Sequence, residues 1–193
     1  MTTGAVLCGG ASRRMGTDKA FVEVDGVAMA QRVATALAEG GCDRVVFVGG
    51  DAALLARFGR PTIADRWPGR GPVGAVLTVL EELDDDVLVA ACDLPFLDAS
   101  TVHTLLAAAD APGSPAVDVV VATVDRPQPL LSWWRREARQ AVAQAWSSGT
   151  TAVHDVIAGL HARSVTVDAA VLRNVNRPAD LESRDDLRER RPW

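Results

Sequence analysis

The stretch LCGGASRRMGTDK, residues 7–19, gathers the residue types that hold anions. Gly9 and Gly10 let backbone N–H groups approach a ligand closely, because no Cβ intervenes. Arg13, Arg14 and Lys19 can add charge-assisted bonds to phosphate oxygens, with Ser12 between them and the glycines. This composition points to a polyphosphate ligand. Two common phosphate motifs do not fit. A P-loop needs Gly-Lys-Ser/Thr, and Lys19 is followed by Ala20; the dinucleotide fingerprint Gly-x-Gly-x-x-Gly is broken by Gly9-Gly10-Ala11-Ser12. A solvated basic turn is the plain alternative, but glycines, cations and a strand end coincide here.

Asp93 follows the apolar run VLVAAC. A carboxylate at the end of a buried strand either caps the next turn or holds a cation, and an unpaired buried charge is costly. Magnesium takes one or two carboxylates plus substrate phosphates and water, so Asp93 and a polyphosphate suit one another. Asp65 opens the glycine- and proline-rich loop DRWPGRGPVG, and Gly49-Gly50-Asp51 closes the run VVFV. Asn174 and Asn176 stand two apart, so that on an extended segment both face one side, although Asn also caps turns. Cys8 reads as a small packing residue rather than a nucleophile, since no histidine lies near it in sequence. His103, His154 and His161 have no ligand spacing. Trp133-Trp134 reads as core or subunit packing, and Trp67 as either a cover for a ligand or a loop staple.

These residues need elements to hold them. Strands are expected over 5–8, 44–48, 62–64, 87–92, 117–124 and 129–134, and helices over 27–39, 52–58, 74–83 and from about Ser100, an N-cap candidate. Residues 21–24 alternate before the turn pair Asp25-Gly26. Short apolar strands alternating with helices predict a single three-layer α/β/α domain over 1–193, with a mostly parallel, Rossmann-like sheet. Ligands of such sheets bind beyond the carboxyl ends of the strands. The first loop, Gly49, Asp65 and Asp93 all fall at such ends. The last stretch, about 182–193, is expected to be a charged, solvated end. Lys19 is expected on a solvent-facing loop.

Composition narrows the function. The chain has 193 residues and a formal net charge of −5, which gives a nucleic-acid partner no bulk support. Three widely spaced cysteines without Cys-x-x-Cys argue against zinc or a disulfide framework and fit a reducing cytoplasm. No apolar run reaches the roughly 18 residues that span a membrane, and no signal peptide is read at the start.

The segment LCGGASRRMGTDK resembles the L-[AC]-[AG]-G-x-S-x-R-M-G…K signature of nucleotidyltransferases acting on the molybdenum cofactor. VVFVGG, IADRWPGRGPVG, AACDLPFL, RPQPLL and LRNVNRPADL keep the resemblance in order along nearly the whole chain. Within that family the chain is most similar to the guanylyltransferases, which join GMP from GTP to molybdopterin and release pyrophosphate. The resemblance implies a nucleotidyltransferase fold and roles for particular residues. Leu7, Cys8 and Gly9 would wrap the guanine base and ribose, and Gly10 to Gly16, with Ser12 and Arg13, would hold the phosphates. Lys19, with Arg14 and Asp93, would form the catalytic set, Lys19 offsetting charge at the α-phosphate and Asp93 binding Mg2+. Asp65 would help hold the guanine. Gly49 stands where relatives often carry asparagine, so only its backbone can contribute. Gln128 stands where many have histidine. Asn174 and Asn176 would lie near the metal and the acceptor. The implied substrates are GTP and the molybdopterin cofactor, and the implied protein partners are molybdenum-insertion proteins or recipient molybdoenzymes, with no nucleic acid or membrane.

The chemistry itself asks for these residue types. Transfer to an α-phosphate is mostly positioning and charge neutralisation. An acceptor phosphate is already a nucleophile, so the lack of a His or Cys nucleophile is consistent. Three rivals remain: a cytidylyltransferase for the same cofactor, a sugar-phosphate nucleotidyltransferase, and a non-catalytic nucleotide-binding accessory protein. Sugar enzymes usually show Gly-Thr-Arg in the first loop, and retention of Lys19 with Asp93 argues against lost catalysis.

Overall fold

The computed structural model describes residues 1–9, 18–111, 113, 115–173 and 175. In chain order the elements are β1 (Thr2–Leu7), a hairpin of β2 (Glu23–Val24) and β3 (Val27–Ala28), α1 (Met29–Glu39), β4 (Arg44–Val48), α2 (Ala52–Leu55), β5 (Thr62–Ile63), α3 (Pro72–Glu82), β6 (Asp86–Ala91), α4 (Ala99–Ala109), β7 (Val119–Thr123), β8 (Pro127–Trp134), α5 (Arg139–Ser147), α6 (Val153–Ala158) and β9 (Ala162–Thr166). Successive side chains on a strand point to opposite faces. In β6, Leu88 and Ala90 enter one core cluster while Val87 and Val89 enter the other. Strands that are apolar on both faces must be covered on both. Residues of α1 and α4 pack into the first cluster, and residues of α3, α5 and α6 into the second. The result is a single three-layer α/β/α domain. Trp133 and Trp134 are both buried, one on each face of β8, which settles them as core.

The sheet has seven strands in the order β5-β4-β1-β6-β8-β7-β9. All neighbours are parallel except β8, which runs antiparallel to β6 and β7. After β1 the chain moves outward to β4 and β5, then returns through α3 to β6 on the other side of β1. That reversal makes the carboxyl ends of β1 and β6 the switch point where such sheets bind ligands.

Several expected boundaries move. The first strand begins at Thr2 and ends at Leu7. The strand expected over 21–24 is only Glu23–Val24, because Asp18 caps a 3-10 turn over Lys19–Phe21. The cap of α4 is Asp98, not Ser100: its carboxylate accepts from the Thr101 amide at 2.9 Å, and the Ser100 hydroxyl donates to that carboxylate. α3 starts at Pro72, which needs no amide partner in the first turn. The sequence reading did not anticipate α5, α6 or β9. The charged end at 182–193 lies outside the described residues. Among those described, no helix is long and apolar enough to cross a membrane.

Candidate active site

Four strand ends meet at the switch point, and the ladder continues one residue beyond β1, β4 and β6 to align them. Cys8 N donates to Val48 O at 2.9 Å, Gly49 N to Ile63 O at 2.9 Å, and Cys92 N to Leu7 O at 3.1 Å. Gly9, Gly49, Asp65 and Asp93, separated widely in sequence, therefore leave the sheet along one edge.

Gly9, Gly49 and Asp65 form a cradle. A Cβ on Gly9 would lie 3.7 Å from Asp65 Oδ2 and 3.7 Å from Gly49 Cα. The backbone of Gly9 is outside the left-handed region, so its missing side chain leaves space rather than relieving strain. Gly49 differs. Its φ is +69°, and a Cβ there would press to 3.1 Å of Gly9 Cα and N. A side chain at Gly49 would thus be crowded against Gly9 in this chain. Asp65 is held by its neighbours: Oδ1 accepts from Trp67 N at 2.9 Å and lies 3.5 Å from Thr78 Oγ1. Oδ2 is left on the Gly9 side.

At the end of β6, Asp93 Oδ2 lies 3.7 Å from Lys19 Nζ, with side-chain exposures of 25% and 16%. The expected solvent-facing Lys19 is therefore mostly buried, and the expected lone carboxylate has a cationic partner. The reason is local: Asp18 Oδ1 accepts from Ala20 N, and the tight turn seats Ala20 in the core and carries Lys19 inward. Burial raises the Asp93 pKa above its ordinary value, and the Lys19 ammonium partly offsets this. The loop after Asp93 is rigidly tied. Leu94, Phe96 and Leu97 are buried, and Arg32 Nε donates to Pro95 O at 2.9 Å. Val175, fully buried, donates its amide to Asp93 O at 3.2 Å. That contact places Val175 beside the end of β6; Asn174 and Asn176 lie outside the described residues, as do Gly10, Ser12, Arg13, Arg14 and Gly16.

The model of the MobA-like NTP transferase domain matches residues 4–165. The chain belongs to this family. It is 30% identical over 93% of its length to a probable molybdenum cofactor guanylyltransferase of Natronomonas pharaonis, covering 95% of that relative. It is 35% identical to a molybdenum cofactor guanylyltransferase of Mesorhizobium japonicum, over 72% of this chain and 69% of the other. The fold matches the crystal structure of molybdopterin-guanine dinucleotide biosynthesis protein A from Archaeoglobus fulgidus with a TM-score of 0.76 at 24% identity, covering 93% of this chain and 94% of that one.

As a MobA-like nucleotidyltransferase, the chain needs little covalent apparatus and chiefly positioning. A bare backbone cradle with one carboxylate oxygen can accept from donors on a flat ring. A half-buried ammonium beside a half-buried carboxylate can divide between a phosphate and a cation. The donor set suits a hard cation that keeps water and takes phosphate ligands, not an all-protein cage: no group of three or more His, Cys, Asp or Glu is assembled among the described residues. Cys8 and Cys92 are buried beside the site, and their mutual contact and burial hold the Cys8 thiol protonated, which suits packing rather than nucleophilic attack. His103, His154 and His161 are exposed and apart from it. Trp67 packs at a tilt against Trp146, 5.3 Å between ring centroids, so it staples the loop that carries Asp65. Thr78 was not singled out by sequence; its signal is a hydroxyl on the apolar face of α3.

Proposed function

We propose that this nucleotidyltransferase transfers GMP from GTP to the molybdopterin form of the molybdenum cofactor in the cytoplasm. The observation that carries the guanine assignment is the Gly9–Gly49–Asp65 cradle. It bares the backbone of Gly9 and Gly49 to a flat ring and leaves Asp65 Oδ2 to accept from ring donors. The names of the relatives support the acceptor.

In this reading Lys19 and Asp93 wait as an ion pair. The triphosphate would give Lys19 a more highly charged partner, and Asp93 would hold a magnesium ion, whose charge would neutralise the phosphates. Lys19 then faces the α-phosphate, where negative charge builds as the bond to the β-phosphate breaks. A phosphate oxygen of the acceptor forms the new bond to the α-phosphorus, and pyrophosphate leaves with the electron pair. No residue need remove a proton from an ionised acceptor phosphate. Arg14, Ser12 and Arg13 would complete the phosphate contacts, and Asn174 and Asn176 the acceptor side.

The test is a coupled assay of the purified chain with molybdopterin and each of the four nucleoside triphosphates, following pyrophosphate with and without magnesium. GTP is expected to support turnover best, and only with the metal. Preference for CTP would overturn the guanylyl assignment, and no release with any nucleotide would overturn catalysis.

A further inference from the structure

We infer that Thr78 is the positioning residue that fixes the Asp65 loop and carboxylate, and so sets discrimination for the guanine base; this rests on the reading of Asp65 given above. Thr78 is fully buried among Val73, Val76, Leu77, Val79 and Leu80 of α3. A hydroxyl in such surroundings is costly unless it is bonded. It could satisfy its proton alone, by the back-bond to Gly74 O, which it makes at 2.9 Å. It does more. Its oxygen accepts from the amide of Arg66 at 3.3 Å, directly after Asp65, and lies 3.5 Å from Asp65 Oδ1.

The consequence is geometric. The Arg66 amide pins the loop to α3, and the Trp67 amide takes Oδ1 at 2.9 Å. With Oδ1 on the helix side, Oδ2 is the oxygen turned to the Gly9 cradle. A carboxylate fixed in this way presents its acceptors without choosing among rotamers when a base arrives. Guanine offers two adjacent donors, the ring N1–H and the exocyclic amine. Hypoxanthine offers only the first, so the ratio of GTP to ITP affinity reads how well the carboxylate is aimed.

The experiment compares wild type, Thr78→Val, Thr78→Ser and Asp65→Ala for binding and turnover of magnesium GTP and ITP. Wild type is expected to favour GTP by about tenfold or more, the worth of a hydrogen bond to a charged group. Thr78→Val matches the shape of threonine and is expected to lose most of that ratio, through a raised KM for GTP and a smaller change in kcat. Thr78→Ser restores the hydroxyl and is expected to restore the ratio, which a purely structural role in the core would not do. If valine prevents folding by circular dichroism, Thr78→Ala supplies the same reading. A folded Thr78→Val or Thr78→Ala protein with the wild-type ratio, while Asp65→Ala loses it, overturns the inference alone. A wild type without preference, or an Asp65→Ala protein that keeps it, overturns the guanine reading beneath it.

Discussion

At one end of the carboxyl edge, Gly9 and Gly49 meet across β1 and β4 beside a carboxylate held by the Trp67 amide; at the other, the carboxylate of Asp93 is held by an ammonium. Both ends use a half-buried aspartate at a strand end. At Asp65 the partners are neutral, the Trp67 amide and the nearby Thr78 hydroxyl, and they fix direction beside glycines whose bare backbones pass at close range. At Asp93 the partner is a charge, and burial works against the carboxylate that Lys19 favours. The first arrangement suits reading a shape. The second suits answering a change of charge.

The largest effects are therefore expected at the charged end. Lys19→Ala should lower kcat by roughly a hundredfold or more, the usual cost of one donor aimed at developing charge. Unchanged kcat with weaker GTP binding would make Lys19 a ground-state contact only. Asp93→Ala should abolish turnover while circular dichroism stays native, and near-normal magnesium-dependent activity would remove it from the metal site. Stability should not follow activity. A carboxyl whose folded pKa is raised contributes stability below its ordinary value of 3.8, and loses it as pH rises through the raised value. At neutral pH the metal-free chain thus carries the charge at a cost, and Asp93→Asn should melt within about 4 °C of wild type or above it. A large drop in Tm would show that the pair with Lys19 is structural.

The two glycines of the base end separate selectivity from strain. Among the described residues Gly9→Ala meets nothing closer than 3.7 Å, and it needs no positive φ, so the protein should fold normally. The added methyl enters the cradle, and kcat/KM for GTP should fall roughly tenfold to a hundredfold relative to CTP. Equal loss for both nucleotides would end the argument from size. Gly49→Ala has the opposite signature. Its φ of +69° and the 3.1 Å approach to Gly9 should lower stability by about 1–2 kcal/mol or more, read by denaturant titration, before any nucleotide is added.

Such contrasts show what the sequence alone makes legible. Strand ends carry local signals: apolar runs stopping at Gly9, Gly49 and Asp93 place these residues on one edge once the strands are parallel. The reversal of strand order then brings β1 beside β6 without any further clue. The burial of Lys19 was not readable, because it follows from the turn capped by Asp18, and its partner lies 74 residues away (93 minus 19). β9 is an edge strand with alternating half-exposed residues and one neighbour, and α6 has only six residues, too few for a helical period to stand out. Asp98 displaced Ser100 as a cap because its carboxylate reaches the Thr101 amide while Ser100 turns back to donate to it.

The smallest expected effect sharpens the contrast between fixed direction and charge within the base end itself. The Arg66 side chain pairs with Glu81 and Glu82 on α3 and so ties the same loop as Thr78. Arg66 and Glu82 are exposed and Glu81 is half-buried, however, and pairs so open to water are screened and entropically costly to hold. The Arg66 amide, which every residue but proline would supply, makes the bond to Thr78. Arg66→Ala keeps that amide and removes only the charges. It should therefore shift Tm by no more than about 2 °C and leave the GTP to ITP ratio unchanged, with no added dependence on salt. Should Arg66→Ala lose the ratio while Thr78→Val keeps it, the loop would be held by its surface charges. The contrast between the two ends would then fail, because both would rest on ion pairs.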